Sequence, residues 1–424
     1  MGLFSRFYKK TRTERIEVLH RHHNLSKDSL ATLSQDTNLS PGIAGKMVEN
    51  HLGTFALPFA VVPDMLVDGT TYSLPLVTEE PSVVAACSFG AKVMARSGGV
   101  VTTIHNRLMI GQVALTHVSQ PEKAKEAIQA ASQDLLNAAN QAHPSIATRG
   151  GGARRLTIDE KGGFLIVYLQ VDVQEAMGAN MLNTMLEAIA PLLEALTGGE
   201  TLMGILSNYA TESLVSACCR IPFSHLSTPG YPGQEVARKI ALASQLAQVD
   251  PYRATTHNKG IFNGVDALVL ATGNDWRAIE AGGHAYASRN GSYRGLSQWT
   301  IEEDTLVGQL TLPLPLASVG GSIGLNPKVA VAFDLIGHPT AKQLASLAAA
   351  TGLCQNFAAL RALVTTGIQK GHMKLHIQSL ALLAGASEEE VEPLSHLLNQ
   401  EPHRNLETAK TLLASLRKHS QNQP

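Results

Sequence analysis

Hydrophobic and polar positions along the chain show two kinds of pattern, one typical of strands and one typical of amphipathic helices, and their order divides the chain into units. Between residues 107 and 212, short apolar runs typical of strands alternate with stretches whose apolar positions recur every three or four residues, as in amphipathic helices. The order is strand (NRLMIGQVALTHV), helix (PEKAKEAIQAASQDLLNAANQAH), two strands (RRLTID and GGFLIVYLQVDV), helix (GANMLNTMLEAIAPLLEALT) and strand (LMGILSN). This split β-α-β-β-α-β order predicts a small ferredoxin-like unit, inserted into a larger one.

The sequence on both sides of the insertion predicts a larger mixed α/β unit, formed by residues 1–106 and 213–368. A helix begins with Ser40 as N-cap and Pro41 in its first position. The apolar run VDALVLATG (265–273) predicts a strand, a helix follows from about Asp275, and a long helical stretch begins near residue 340. Residues 369–424 are polar and helical, which indicates a small C-terminal unit. The predicted fold class is therefore α+β.

Composition narrows the choice of partners and compartment. The chain has 424 residues, of which 44% are hydrophobic, and its 34 Lys+Arg nearly balance its 35 Asp+Glu. A net charge of -1 argues against nucleic acid or an anionic membrane as partner. The cysteines form no CxxC pair, the N-terminal segment has no signal-peptide core, and no apolar run approaches the ~20 residues of a membrane span. We therefore expect a soluble cytoplasmic protein with reduced thiols.

Motif searches leave several candidates open. No GxGxxG follows a strand and no GxxxxGK[ST] occurs, so neither a Rossmann site nor a P-loop is supported. His372 and His376 stand four residues apart, as zinc ligands can, but such a spacing more often marks a solvated helix face, and we expect no metal. Glu79 and Glu80 are either a solvated pair or include one carboxyl group in a dry pocket that acts as an acid. Considered by itself, Trp276 would be interpreted as a core aromatic residue.

Five segments become informative together: MVENHLGTFALPFAV, LVTEEPSVVAA, DVQEAMGANMLNTMLEA, PYRATTHNKGIFNGVDALVLATGNDWRA and GIQKGHMKLH. In this order they resemble the hydroxymethylglutaryl-CoA reductases, specifically the soluble bacterial class II, over almost the whole chain. One departure is Glu175, where many relatives carry aspartate, although the charge is the same. The resemblance implies a large substrate-binding unit, an inserted cofactor unit and a C-terminal flap over sites shared by two subunits of a homodimer.

The implied reaction reduces hydroxymethylglutaryl-CoA to mevalonate and CoA with two nicotinamide hydrides, for isoprenoid synthesis. One alternative is the same enzyme working in mevalonate breakdown. Another is a CoA-thioester acyl transferase, for which Cys87 is the candidate nucleophile.

The resemblance assigns the catalytic roles to Glu80, Lys259, Asp275 and His372. Lys259 would stabilise the oxyanion that forms on the carbonyl oxygen, with Asp275 holding the ammonium in place. His372 would protonate the departing CoA thiolate, since imidazolium is acidic enough near neutral pH. Glu80, kept protonated by burial and by the charge of Asp275, would protonate the oxygen of the aldehyde intermediate. His376 would be a bystander.

The resemblance also implies binding residues. The substrate contacts are Ser82, Arg253, Asn263 and Asn208. The cofactor contacts are Arg155, Asp172, Met177, Gly178, Ala179 and Asn180. Arg155 stands where NADH-preferring relatives carry aspartate, and a guanidinium can pair with a 2′-phosphate, so NADPH is the expected cofactor with some use of NADH. The alternative is that Arg155, like Arg154 beside it, is a solvated strand residue.

Overall fold

The computed structural model describes residues 4–367 and 377–421 of the chain. The helices are α1 (Arg12–His23), α2 (Lys27–Gln35), α3 (Pro41–Met47), α4 (Val83–Arg96), α5 (Pro121–Ala130), α6 (Ser132–Ala142), α7 (Pro144–Thr148), α8 (Ala179–Thr197), α9 (Phe223–Leu226), α10 (Gly233–Val249), α11 (Pro251–Ala271), α12 (Trp276–Ala287), α13 (Pro327–Ile336), α14 (Ala341–Val364), α15 (377–383), α16 (Glu388–Gln400) and α17 (Leu406–Gln421). The strands are β1 (Phe59–Val67), β2 (Thr70–Val77), β3 (Val100–Ile104), β4 (Met109–Thr116), β5 (Gly152–Lys161), β6 (Phe164–Asp172), β7 (Glu200–Ser207), β8 (Leu214–Pro222), β9 (Ser297–Glu302) and β10 (Thr305–Pro313).

The first sheet forms the centre of the larger unit and has the order β2-β1-β3-β8-β10-β9. Its pairs are antiparallel except β1 with β3. The β1–β2 hairpin turns at Asp68 and Gly69, both with positive φ, which suits a tight hairpin turn. Helices α4, α11 and α14 pack with this sheet around one large apolar core. The end of β2 and the start of α4 therefore face α11 across a short distance.

Residues 265–271 of the apolar run 265–273 are helical, so the predicted strand there is wrong. They continue α11, which begins at Pro251 after the N-cap Asp250 and ends at Ala271. A short apolar run does not distinguish a buried helix from a buried strand, because neither has a polar face that would reveal its period. Eleven of the 21 residues of α11 are buried. The prediction of a helix beginning at Asp275 is confirmed, since Asp275 is the N-cap of α12.

The second sheet has the order β5-β6-β4-β7, with every pair antiparallel. Helices α5, α6 and α8 pack with it around a separate apolar core. The β-α-β-β-α-β order between residues 107 and 212 is thus present, although the predicted first helix is interrupted at Ala131 and forms α5 and α6. The limits of the three predicted domains stay predictions.

The C-terminal helices α15, α16 and α17 enclose a small core of their own, formed by Ile377, Leu380, Ala381, Leu394, Leu398, Ala409 and Leu413. The predicted catalytic His372 and its neighbour His376 lie outside the described residues. Helix α14 is long and apolar enough to cross a membrane, but 72% of its most apolar window is buried inside the protein. That burial is typical of a core helix.

Candidate active site

An ion pair between Glu80 and Lys259 joins two elements of the larger unit. Glu80 lies in the turn between β2 and α4, where its backbone N–H donates to the Thr78 hydroxyl at 3.1 Å. Lys259 lies midway along α11, and its Nζ donates to the Glu80 carboxylate. Because α11 packs against β2 and α4, the two side chains meet although they are 179 residues apart in sequence. The structure therefore brings together two of the predicted catalytic residues.

The pair is less buried in the single chain than the sequence analysis predicts. The Lys259 side chain is 57% exposed to solvent and the Glu80 side chain is 37% exposed. The predicted mechanism needs a water-poor site, in which charges interact strongly. One chain, over its described residues, does not supply that environment.

Asp275 is bound differently from the prediction. Its Oδ1 accepts the backbone N–H groups of Arg277 and Ala278 at 3.1 and 3.2 Å, so it caps α12. Among the described residues its ion-pair partner is Arg277, and the partner of Lys259 is Glu80. The expected Asp275–Lys259 pair is therefore not formed in this conformation, because the capping bonds hold the carboxylate at its own helix. Trp276 beside it is 38% exposed, which corrects its interpretation as a core residue.

Ser82, two residues after Glu80, lines a large cavity. It precedes α4 with a φ of 76°, and its buried hydroxyl has no hydrogen-bond partner within the described residues. A cavity of about 1300 Å³ is lined by Ser82 and by side chains of the N-terminal helices, β1 and α4. Its cationic lining residues are Arg6, Arg12, Arg15, Lys92 and Lys328, against Asp36 and Asp64 as acidic ones. This excess of positive charge suits an anionic ligand.

The other predicted substrate residues lie on the same helix or at its neighbours. Asn263 is one turn beyond Lys259 on α11 and is half-buried. Arg253 lies in the first turn of α11, where burial lowers the pKa of its guanidinium. Asn208 follows β7 directly, and its side chain is exposed. The face of α11 that carries Lys259 thus also carries Asn263.

The N-terminus of α8 fits the phosphates of a dinucleotide. Gly178 precedes the helix with a φ of 86°, and a Cβ there would collide with Val173. Within the described residues, no N-cap side chain bonds to the first backbone N–H groups of α8, which belong to Ala179 and Asn180. Free N–H groups at the positive end of a helix dipole bind phosphate well. Met177 lies just before this turn, and Asp172 ends β6 on its approach.

Two residues that sequence reasoning missed, or interpreted only in part, hold this turn in place. Arg107 is buried and donates to the backbone carbonyls of Gln174, Ala176 and Leu316. The Glu175 carboxylate accepts the Ser318 hydroxyl and the first N–H of α14, that of Ala341, at 2.7 Å. Both residues tie the 172–178 segment to the larger unit. The departure at Glu175 is thus explained by a structural contact, and a lone arginine before a strand carries no sequence signal.

The Arg155 side chain is bound to other side chains of the protein. It follows a bulge in β5, and its guanidinium donates to Gln170 and pairs with Glu212 at 3.1 Å. Arg154 pairs instead with Asp172 at 3.5 Å. Both arginines therefore lie near the segment that leads from β6 into α8, each with a carboxylate partner.

Burial argues against Cys87 as a nucleophile and against His257 as an acid or base. Cys87 is fully buried in α4, and burial raises the pKa of its thiol to about 12, so it is not a nucleophile. The alternative of a CoA-thioester acyl transferase therefore has no candidate nucleophile at this position. His257, two residues before Lys259, is buried against Ser297, and burial lowers its pKa to about 3. Among the residues the structure describes, no group of three His, Cys, Asp or Glu side chains could hold a metal ion.

Taken with the two sheets, this geometry defines an α+β protein in which the Lys259 ammonium of α11 is paired with a carboxylate from the turn after β2. Residues 11–377 match the family of hydroxymethylglutaryl-coenzyme A reductase. The chain is 41% identical to the 3-hydroxy-3-methylglutaryl-coenzyme A reductase of Archaeoglobus fulgidus, over 97% of this chain and 94% of that one. It therefore belongs to the hydroxymethylglutaryl-CoA reductase family, whose members are NAD(P)H-dependent oxidoreductases. The resemblance seen in the five motifs is confirmed.

Solved structures agree with this assignment. The reductase from Streptococcus pneumoniae is 57% identical, with a TM-score of 0.85, and the match covers 97% of this chain and 99% of that one. A class II reductase from the same organism, bound to NADPH in open conformations, is also 57% identical, with a TM-score of 0.84 over 85% of this chain and 100% of that one. These likenesses confirm the α+β fold class.

The Glu80–Lys259 pair predicts a loss of turnover without a loss of folding. Lys259→Ala should lower kcat at least ~100-fold, as removal of an oxyanion donor does in other enzymes. Its melting temperature should stay near that of the wild type, because exposed ion pairs contribute about 0–1 kcal/mol. Lys239→Ala is a matched control, since Lys239 pairs with Glu235 at 2.7 Å on the surface. Near-normal turnover by a folded Lys259→Ala protein would refute the catalytic role.

Proposed function

We propose that this chain reduces hydroxymethylglutaryl-CoA to mevalonate and CoA, with NADPH as the hydride donor and two hydrides per thioester. The observation that carries the proposal is the Glu80–Lys259 pair beside Ser82, at the edge of the basic cavity. We place the enzyme in the cytoplasm and in the synthetic direction of the mevalonate pathway, which supplies isoprenoid precursors. Mevalonate breakdown is the reverse use of the same site.

The cavity suits the CoA part of the substrate. Hydroxymethylglutaryl-CoA carries phosphate groups in its nucleotide part and the thioester at its other end, and the cationic residues of the cavity would bind the phosphates. The unpaired Ser82 hydroxyl would then bond to the acyl part, close to Glu80. Asn263 and Arg253 on α11 would contact the same part from the other side. A substrate in this position has its thioester carbonyl near the Lys259 ammonium.

Lys259 and Glu80 would have different roles at that carbonyl: Lys259 would stabilise negative charge and Glu80 would transfer a proton. The residues at the N-terminus of α8 would hold the nicotinamide cofactor, which supplies hydride when bound. Lys259 stabilises the negative charge that develops on the carbonyl oxygen, and a fixed cation needs no reorganisation to do so. Glu80 remains our proposed donor of the proton that the aldehyde oxygen needs. Its carboxylate, which accepts a hydrogen bond from the Lys259 ammonium in this conformation, would take up that proton before giving it. His372 remains our proposed acid for the CoA thiolate.

The reaction can be tested directly by its stoichiometry. With hydroxymethylglutaryl-CoA and NADPH, the wild-type enzyme should consume two cofactor molecules for each CoA thiol released. Absorbance at the nicotinamide band and a thiol reagent measure the two quantities in one sample. Cys87→Ala should keep both, because its thiol is buried away from the site. Thiol release without cofactor oxidation would instead indicate an acyl-transfer or hydrolytic enzyme.

We further propose a homodimer whose subunits share the active sites. The exposure of the Lys259–Glu80 pair in one chain supports this, since the chemistry needs a drier site. The segment that leads into β1 also exposes large apolar side chains, with Leu52 fully exposed and Phe55 92% exposed. Neighbouring apolar side chains that protrude in this way are typical of a protein interface.

Phe55→Asp tests this interface. A charge at an exposed position should be tolerated by the single chain but should disrupt a packed interface. We expect sedimentation velocity to show a dimer for the wild type and a monomer with little activity for Phe55→Asp. Leu202→Asp, on the exposed edge strand β7, is the control and should remain dimeric. A dimeric Phe55→Asp protein would place the interface elsewhere, and a monomeric active wild type would remove the dimer proposal.

Arg155 is the proposed determinant of NADPH preference, despite its pairing with Glu212. A 2′-phosphate can replace the carboxylate as partner, because a guanidinium binds both in the same bidentate way. Arg155→Asp should raise the KM for NADPH by about 10–100-fold, the equivalent of one charge-assisted bond, and leave that for NADH similar. Steady-state kinetics with both cofactors measure this. Arg154→Asp is the comparison, and a larger effect there would transfer the role to Arg154.

A further inference from the structure

The first half of α11 has little apolar packing to hold it. Of its apolar side chains, that of Ala254 is buried, whereas that of Tyr252 is 89% exposed. Large apolar side chains enter the core from Ile261 onward. Gly260 separates the two halves, and a glycine inside a helix weakens the helix relative to alanine. The turn that carries Lys259 is therefore fixed mainly by polar contacts.

Asn258 joins this half of α11 to the segment that leads into β9. Its side-chain Nδ2 donates to the backbone oxygen of Arg294 at 2.9 Å, and its Oδ1 accepts the backbone N–H of Leu296 at 2.8 Å. The side chain of Asn258 is fully buried, so both bonds are shielded from water. Two bonds from one short side chain to fixed backbone groups limit both the sliding and the rotation of α11 at this residue.

His257, the preceding residue, joins α11 to β9 and α14. Its ring Nε2 lies 2.6 Å from the Ser297 hydroxyl, which donates to Oδ1 of Asn356 on α14 at 2.8 Å. Because that hydroxyl has a single proton, it accepts the proton of Nε2, and the ring is the neutral Nε2–H tautomer. Trp299 completes the network, since its Nε1 also donates to Asn356 Oδ1, at 2.7 Å. All four side chains are buried.

Lys259 projects to the other side of the helix. It lies about 200° around the helix axis from His257, because each residue of an α-helix turns by about 100°. Its Nζ reaches Glu80, which comes from the turn between β2 and α4. A shift of the first half of α11 would therefore move the ammonium relative to Glu80. In an active site, a misplacement of about 1 Å can lower a rate by about 100-fold.

We propose that His257 and Asn258 are positioning residues, which fix the Lys259 turn of α11 on the 294–297 segment and on α14 and thereby set where the ammonium meets the substrate carbonyl. Both side chains are buried behind the helix, so neither is proposed to touch substrate. The proposal rests on the proposed function, because it assigns the two residues a role in that reaction. Since His257 and Asn258 have different partners, each can be tested by itself.

Substitutions at both residues test the effect on turnover. Asn258→Ala removes both bonds to the backbone and should lower kcat about tenfold or more. His257→Leu cannot bond to Ser297 and should lower kcat similarly, whereas His257→Gln can donate as Nε2 does and should keep kcat within about threefold of the wild type. The KM for NADPH should change by no more than about twofold, since the proposed cofactor site lies on the other unit. Steady-state kinetics with hydroxymethylglutaryl-CoA, well below each melting temperature, measure these values.

A double variant shows whether the effect passes through Lys259. If Asn258 acts by placing the ammonium, its loss should cost nothing further once the ammonium is absent. The kcat of the Asn258→Ala, Lys259→Ala double variant should therefore equal that of Lys259→Ala within about twofold. A purely structural role would multiply the two losses, and that result would overturn the positioning role.

Hydrogen exchange tests the contacts of Asn258 without any measurement of activity. In Asn258→Ala, the backbone amides of residues 251–260 should exchange about tenfold faster or more than in the wild type, because local opening no longer breaks two buried bonds. The amides of residues 265–271 should exchange at the wild-type rate, since the apolar core holds that half. Mass spectrometry of peptic peptides measures both. Unchanged exchange at 251–260 would show that other contacts fix this half and would overturn the proposal.

Asn140→Ala is the matched control. Asn140 of α6 makes the same kind of bonds, since its Nδ2 donates to the backbone oxygen of Ala153 at 3.4 Å and its Oδ1 accepts the N–H of Ala153 at 2.8 Å. Its loss should destabilise the smaller unit but leave kcat at saturating NADPH within about twofold of the wild type. A loss of kcat as large as that of Asn258→Ala would show that the effect is not specific to α11, which would overturn the proposal.

The remaining outcomes separate the positioning role from the proposed function. Wild-type turnover in both Asn258→Ala and His257→Leu would overturn the positioning role, and an equal loss in His257→Gln and His257→Leu would remove His257 from it. If the wild type itself oxidises no NADPH with hydroxymethylglutaryl-CoA, the proposed function fails and the catalytic role of the two residues with it. Hydrogen exchange would then still decide whether Asn258 holds the first half of α11.

Discussion

The position of the Lys259 ammonium depends on how closely α11 packs against α14. Gly264 of α11 faces Thr351 and Gln355, since a Cβ there would lie 3.0 Å from the Gln355 side chain. In return, Gly352 of α14 leaves room for Ile261 and Val265 on α11. Small residues at matched positions let the two helix backbones approach, and dense packing then limits rotation of α11 about its axis. Lys259 is therefore presented on a rigid support, and Glu80 meets it from a turn that is fixed by β2 and α4.

This packing also explains which features the sequence could and could not predict. The order of helices and strands between residues 107 and 212 is predictable because each element has one polar face, so its periodicity is visible, although the break in the first helix at Ala131 is not. The run 265–273 was assigned wrongly because a helix buried on most sides has no such period, and its valines and leucines then resemble a strand. The start of a helix near Asp275 is predictable from the sequence, but the pairing of Asp275 with Arg277 depends on side-chain geometry that no local pattern encodes.

The site residues likewise include some that the sequence could predict and some that it could not. Glu80 and Lys259 could be selected only through whole motifs, since a lone glutamate or lysine has many ordinary uses on a protein surface. Their contact joins positions far apart in sequence and follows from the tertiary packing of α11 on β2 and α4. Arg107 and Glu175 act on backbone groups of distant segments, and such contacts leave no spacing to recognise. His372 lies outside the described residues, so its place relative to Lys259 is a prediction from the family motif alone.

The bonds made by Arg107 and Glu175 have a consequence for how such an enzyme can change during evolution. They join the turn before α8 to the larger unit mainly through backbone groups, whose chemistry is the same whatever side chains surround them. The residue proposed to distinguish one dinucleotide from another, Arg155, lies instead on β5, an edge strand of the smaller sheet. Selection can therefore alter the cofactor used by a lineage through few substitutions on that strand, while the reacting groups on the other unit keep their arrangement.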